Sequence, residues 1–341
     1  MYIVTSEYFA SNRRAVSNYV SKHSDGNYFQ SPEMYDFFNK IEKYEPITLV
    51  VHNERGVIQG SLLAVIQKEF CKPLGFFTAR TIVWGGPLVS GIDSVENCEL
   101  VNLLIKSLVY KVRNKSIYIQ FRSFFDQSAY SYQFQKNEFK YSEHLNYIVK
   151  TNNLEDVKRR FSLSKIRQIK KSLKNGAKIV EPVAIQQVLE FYNLLKELYH
   201  SKIKKPIPPK SFFINFYEET IRNGSGTYLL IKYNDRIIGG IMCPITKGRT
   251  IYEWYVCGLD RMFNGIYPSV LATWAPIEYA LNNGLECFDF MGAGKHDKDY
   301  GVREFKSKFG GELVKYGRFE RINHNFLYKL GKLGLAALNK I

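Results

Sequence analysis

Residues 47–66, ITLVVHNERGVIQGSLLAVI, and residues 227–246, TYLLIKYNDRIIGGIMCPIT, are two copies of one pattern at a fixed offset of 180 positions. Without a gap, Leu49 falls on Leu229, Val51 on Ile231, Val57 on Ile237, Ile58 on Ile238 and Gly60 on Gly240. Each copy reads as an apolar strand, a polar turn and a second strand interrupted by a small residue, which is a β-hairpin. Each continues through strand-like residues to a helix and then a strand: ENCELVNLLIKSLVYKVRNK leads to SIYIQFR, and PSVLATWAPIEYALNNG leads to CFDFMG. A chain of 341 residues is too long for one ordinary core. The repeat therefore predicts a tandem duplication of one mixed α/β unit. The expected division is residues 1–150 and 151–314, with 315–341 packing back on the first unit.

The charge balance narrows the partners. There are 48 Lys and Arg against 32 Asp and Glu, a formal net charge of +16. That favours an anionic partner such as nucleic acid, a phosphate-bearing metabolite or an acidic membrane. Between residues 158 and 178 nine cations occur with no acidic residue. The spacing predicts a helix that buries Leu163, Ile166, Ile169 and Leu173 and turns Arg167, Lys171 and Lys174 outward. An unbalanced cationic run of this length repels itself, which favours an anion-binding role, with Lys170 as a fourth contact. At the other end, Phe326, Leu330, Leu333, Ala337 and Ile341 recur at helical spacing, with lysines largely off the stripe. That predicts a basic amphipathic helix, docked on the protein or touching a membrane surface. The N-terminus carries no uninterrupted apolar stretch, and no segment reaches ~20 apolar residues, so neither a signal peptide nor a membrane span is expected.

Residues 288–314, FDFMGAGKHDKDYGVREFKSKFGGELV, concentrate glycines and lysines. The segment is expected to begin as a strand, since Phe288, Phe290 and Met291 are strand formers, and to break at Gly292 and Gly294. From Val302 to Phe309, apolar residues alternate roughly with Arg303, Glu304, Lys306 and Lys308. Read as extended, this piece projects Lys306 and Lys308 from one face. Asp289, at the strand end, suits a general base or a cap for loop amides, and spacing leaves both open. No Ser/His/Asp or Cys/His arrangement and no nucleophile elbow is present. The five cysteines are odd in number and far apart, as reduced core residues are, and the six histidines lack ligand spacing, so no metal site is expected.

With the upstream WYVCGLD and YPSVLATWAPIEYALNNG, the segment FDFMGAG…YGVREFKSKFGG resembles the FemAB/FemX family of tandem-GNAT aminoacyl-tRNA:peptidoglycan-precursor transferases. The residues that carry the resemblance are Asp289, Phe290, Gly292, Tyr300, Gly301, Phe305, Lys306, Phe309, Gly310 and Gly311. It is strongest over residues 225–318 and extends more loosely to 161–180 and to VWGGPLVSG, 83–91. The order of helices, hairpin, strand, helix and strand is also that of a GNAT-type unit.

The resemblance implies two tandem GNAT-like units, of the acyl-CoA N-acyltransferase type of fold, and no cofactor beyond an aminoacyl-tRNA donor. The acceptor is then an amine of a nucleotide- or lipid-linked cell-wall precursor, in the cytoplasm or at the inner face of the membrane. Lys306 would set a positive charge beside the oxyanion that forms as the amine attacks, a contribution of ~3 kcal/mol in comparable sites. Asp289 is the second catalytic candidate. Phe305, Lys308, Tyr300, Arg303 and Gly292 are expected at the substrate, and Arg167, Lys170, Lys171 and Lys174 on the tRNA. The open alternative is an acyl-CoA-dependent N-acyltransferase acting on a sugar nucleotide or surface polysaccharide precursor. Against it, neither half shows the [QR]xxGxG/A turn that grips a CoA pyrophosphate at a helix N-terminus.

Overall fold

The computed structural model describes residues 2–69, 74–203, 206–296 and 301–338. The chain divides into two compact units, residues 1–143 with 315–341, and residues 144–314. The first unit opens with β1 (Tyr2–Thr5), α1 (Glu7–Ser11), α2 (Arg13–Lys22) and α3 (Pro32–Asn39). The hairpin β2 (Tyr44–Asn53) and β3 (Ile58–Gln67) follows, then β4 (Arg80–Trp84), β5 (Leu88–Val89), α4 (Ser94–Val112), β6 (Tyr118–Arg122), α5 (Ser131–Lys136) and β7 (Lys140–Ser142). The second unit runs β8 (Asn146–Lys150), α6 (Leu154–Arg160), α7 (Leu163–Lys174), β9 (Lys178–Val180), α8 (Ile185–Leu198) and α9 (Lys210–Asn223). It continues with β10 (Gly226–Tyr233), β11 (Arg236–Thr246), β12 (Thr250–Tyr252), β13 (Tyr255–Gly258), α10 (Pro268–Asn282), β14 (Cys287–Asp289), α11 (Gly301–Ser307) and β15 (Glu312–Val314). The chain then returns to the first unit with β16 (Arg318–Ile322) and α12 (Asn325–Leu338).

The two sheets match strand for strand. The first has the order β1-β2-β3-β4-β6-β16-β7 with β5 on β3, and the second β9-β10-β11-β12-β14-β8-β15 with β13 on β11. Every pairing is antiparallel except β4 with β6 and β12 with β14, which are parallel in both. These are two GNAT-like units. Their penultimate strands are exchanged: β8, which follows the first sheet's edge strand, lies between β14 and β15, and β16, which follows β15, lies between β6 and β7. The boundary therefore falls at residue 143 and not at 150, because β8 forms its ladders with β14 and β15.

The gapless repeat needs one correction. Both hairpins carry a bulge at the expected equivalent points, between Val51 and His52 and between Ile231 and Lys232. Across it, however, Val51 pairs with Gly60 while Ile231 pairs with Gly239. The second turn, Asn234-Asp235 with both residues at positive φ, brings the chain back one residue sooner. Gly60 thus corresponds to Gly239, and each glycine starts the short ladder to β5 or β13.

In each unit a long helix packs on the sheet to make the core. Leu100, Leu104, Ile105 and Leu108 of α4 lie against Leu49, Val51 and Ile119. Leu271, Ala275 and Ile277 of α10 lie against Ile231, Ile241 and Phe288. α7 joins the second core through Ile169, but its buried positions are Lys165, Ile169 and Ser172, while Leu163 and Leu173 are exposed. α12 meets the first unit through Tyr328, which bonds Glu320 and packs edge-on to Tyr118. Phe326 and Leu330 face solvent, and the side chains of Leu333, Ala337 and Ile341 lie outside the described residues. Among the described residues no helix is long and apolar enough to cross a membrane.

Candidate active site

The ends of the parallel strands β12 and β14 lie side by side, Tyr252 opposite Asp289. Beyond Asp289 the backbone turns sharply: Met291, Gly292 and Gly294 have φ of 54°, 140° and 81°. A non-glycine residue at positive φ is held there by its surroundings, and the holding groups are Asp289 and Asn146. Oδ1 of Asp289 accepts the Met291 amide at 2.6 Å and the Asn146 side-chain amide at 2.7 Å. Oδ1 of Asn146 accepts the Gly292 amide at 2.7 Å. Of the two roles open to Asp289, capping loop amides is the geometry present. Burial raises the Asp289 carboxyl above the usual aspartate range, opposed by these two hydrogen bonds and the nearby Lys306 charge.

Residues 301–307 form α11, not an extended piece. Val302, Phe305 and Phe309 recur at i, i+3 and i+7, the spacing of one helical face. On a helix, Lys306 and Lys308 cannot share a side. Lys308 stays half exposed and pairs with Glu304 one turn back at 2.7 Å. Lys306 points inward with 7% of its surface exposed. Its ammonium donates to the carbonyls of Phe290 at 3.0 Å and Gly292 at 2.8 Å, and forms an ion pair with Oε1 of Glu253 at 2.7 Å. An ammonium has three protons, and here three acceptors take them. Lys306 therefore ties α11 to the Phe290–Gly294 loop and to the end of β12. It acts on a reacting atom only by giving up one of these partners.

Arg303 completes the frame. Its guanidinium donates to the carbonyls of Ala293 at 3.0 Å and of Lys295 and His296. Gly292 contributes backbone to the loop, and a Cβ there would sit 3.1 Å from Nε2 of His144. Phe305 packs on Phe309 at 5.2 Å between ring centroids, and Nζ of Lys165 lies 4.3 Å from the Phe305 centroid. Tyr300 lies outside the described residues. Arg167, Lys170, Lys171 and Lys174 are all exposed on α7, away from its buried face. Among the described residues none of the four makes an ion pair, whereas Lys158 and Arg159 of α6 are neutralised by Glu155 and Asp156.

Three residues that complete this site escaped the sequence reading: Glu253, Asn146 and Lys165. Glu253 had a signal, as the lone acid in TIYEWYVC, where a buried carboxylate requires a cation. Asn146 had none, because nothing local says that β8 will lie beside β14. Among the described residues no group of three or more His, Cys, Asp or Glu side chains is placed to hold a metal ion.

The FemAB family model matches residues 238–334, a span that holds Glu253, Asp289, the glycine loop and α11. No curated protein matches the sequence. Among solved structures, FemX superposes with a TM-score of 0.71 at 15% identity, over 94% of this chain and 98% of FemX. The C-terminal domain of a putative lysylphosphatidylglycerol synthetase from Agrobacterium fabrum gives 0.57 at 10% identity, over 96% of each chain. A tandem GNAT protein from the clavulanic acid biosynthesis pathway gives 0.57 at 9% identity, over 95% of this chain and 98% of that one. Residues 238–334 are thus similar to the FemAB family, and the chain as a whole has the fold of two tandem GNAT-like units.

Proposed function

We propose that the protein transfers an aminoacyl group from aminoacyl-tRNA to an amine of a nucleotide- or lipid-linked peptidoglycan precursor, at the cytoplasmic side of the membrane. The observation that carries the reading is the FemAB match over residues 238–334, which contains the ion pair, the capped glycine loop and α11. In the reaction the neutral acceptor nitrogen attacks the ester carbonyl carbon. The carbonyl oxygen takes up negative charge, the bond to the tRNA ribose oxygen breaks, and that oxygen receives the proton the amine gives up. No covalent enzyme intermediate is required.

In this reading Lys306 stabilises the oxyanion by exchanging one carbonyl contact for it, while Glu253 supplies its counter-charge in a buried site. Asp289 holds the loop at the reacting group through the Met291 amide. Arg303 and Gly292 shape the same loop, and Phe305 and Lys308 face the donor end. The unpaired face of α7, with Arg167, Lys170, Lys171 and Lys174, meets the tRNA phosphates.

The test is to incubate the protein with charged tRNA pools or with acyl-CoAs, together with cell-wall precursors, and to identify the acceptor's mass gain by mass spectrometry. The expected product carries one additional amino-acid residue and disappears when the tRNA is digested beforehand. Transfer from acyl-CoA that survives ribonuclease would replace this reading with the CoA-dependent one.

A further inference from the structure

Lys165 occupies the buried face of α7, a place that packing usually gives to an apolar side chain, and only 7% of its surface is exposed. Its Nζ lies 4.3 Å from the centroid of Phe305 and 5.7 Å from that of Phe309. Among the described residues it donates one hydrogen bond, to Oε1 of Gln168 at 3.1 Å. Among the described residues no carboxylate comes within ion-pair distance of it. A methionine or leucine would cover both rings with no charge to desolvate, so the ammonium imposes a cost that the fold itself does not recover.

The charges around it sharpen the contrast with Lys306, whose partners are complete. The Ser162 amide that starts α7 donates to the carbonyl of Lys308 at 2.9 Å, bringing the Lys308 backbone to this end of the helix. Burial and the Lys308 charge both push the Lys165 ammonium below its usual range, and Asp260 opposes them. Asp260 already accepts the Ser269 amide at the start of α10. Among the described residues Lys308 is held by Glu304 alone, in an exposed pair, the kind that exchanges at little cost. Two cations therefore stand close together at the edge of α11, one lacking a counter-ion among the described residues and the other loosely held.

We propose that Lys165, with Lys308 beside it and the Phe305 ring as its wall, binds a phosphate oxyanion of the donor substrate. Among the described residues two ammonium protons of Lys165 have no acceptor, and binding such an oxyanion would relieve the repulsion between the two lysines. Under the proposed function the phosphate belongs to the RNA near its acceptor end. The same chemistry would grip the pyrophosphate of a nucleotide donor, and the experiment separates the two.

Binding of the full chain to an acceptor-stem RNA minihelix ending in CCA, and separately to ADP, is measured across a salt series for wild type, Lys165→Met and Lys165→Arg. Lys165→Met keeps the cover over Phe305 and Phe309 and removes the charge. It is expected to weaken minihelix binding about tenfold and to lower the log-log salt slope by about 0.7–0.9, while its unfolding midpoint does not fall. Lys165→Arg should retain most of both. If wild type binds ADP and not RNA, and Lys165→Met weakens ADP binding, the phosphate subsite stands and the RNA reading fails. If wild type binds RNA and Lys165→Met matches it in affinity and slope, the subsite is overturned and the RNA reading survives. Wild-type binding to neither probe overturns both.

Discussion

The Glu253 carboxylate and the Lys306 ammonium meet at 2.7 Å with less than a tenth of either side chain reaching solvent. Such a pair adds little net stability when whole, yet removing one partner leaves the other charged in a dry site. Lys306→Met is expected to lower the unfolding free energy by about 3–5 kcal/mol, measured by urea denaturation, and Lys306→Met with Glu253→Gln should regain at least half of that. The double variant also separates the two roles of the lysine. If Lys306 meets the oxyanion, activity stays down by about a hundredfold or more once the fold is restored. If Lys306 only ties α11 to the loop, activity returns with stability.

Asp289 permits a test with a defined sign. In the unfolded chain an aspartate titrates near 3.9, and burial raises Asp289 above that in the folded protein. Between the two values the folded state binds the additional proton, so this group's contribution to stability falls as pH rises through that window and stays reduced above it. Asp289→Asn keeps an acceptor for the Met291 and Asn146 amides and removes the charge. Relative to wild type, it should gain stability on going from about pH 4 to pH 7. Asp289→Ala strands both donors and should cost about 1–3 kcal/mol at either pH. An asparagine variant that loses ground at pH 7 would mean that the ionised carboxylate is the stabilised form.

The repeated hairpins were legible because apolar alternation, a polar turn and a small residue are local signals, and they fixed the equivalence of β2–β3 with β10–β11. The one-residue slip was not, since the two bulges are equivalent and only the shorter Asn234-Asp235 turn shifts the second strand. The exchange of β8 and β16 leaves no local trace, because a five-residue strand reads alike in either sheet. At 301–307 the spacing of Val302, Phe305 and Phe309 fits a helical face, but the flanking glycines and the alternating charges fit a short strand equally well. Lys165 was hidden for a related reason. A lysine inside a basic run reads as surface, and only the packing of α7 on Phe305 reveals it.

Gly310 explains the second half of the FGG signature. It has φ of +67°, and a Cβ there would lie 2.5–2.6 Å from the Cβ, carbonyl carbon and carbonyl oxygen of Arg160. Gly284 has a similar φ of +64° with nothing within 4 Å. Gly284→Ala isolates the conformational penalty, about 1–2 kcal/mol. Gly310→Ala adds a clash with backbone, so its loss on thermal or urea unfolding should exceed that of Gly284→Ala at least twofold. Equal losses would mean that α6 and the Gly310 turn move apart at little cost.

The exposed face of α7 gives the last prediction. Arg167, Lys170, Lys171 and Lys174 lack ion-pair partners among the described residues, while Lys158 and Arg159 on α6 are paired with Glu155 and Asp156. Each unpaired cation that meets an RNA phosphate releases counterions on binding, and each that is neutralised should lower the log-log salt slope by about 0.7–0.9. Arg167→Gln with Lys171→Gln is therefore expected to lower the slope by about 1.4–1.8 and to weaken tRNA binding more at low salt than at high. Lys158→Gln with Arg159→Gln removes the same formal charge from residues already neutralised, and should change the slope little. Net positive charge acting at long range would make the two pairs equivalent, because only total charge then matters. A specific surface makes them differ. Equal slopes for the two double variants would therefore remove α7 from the interface even if the protein binds tRNA.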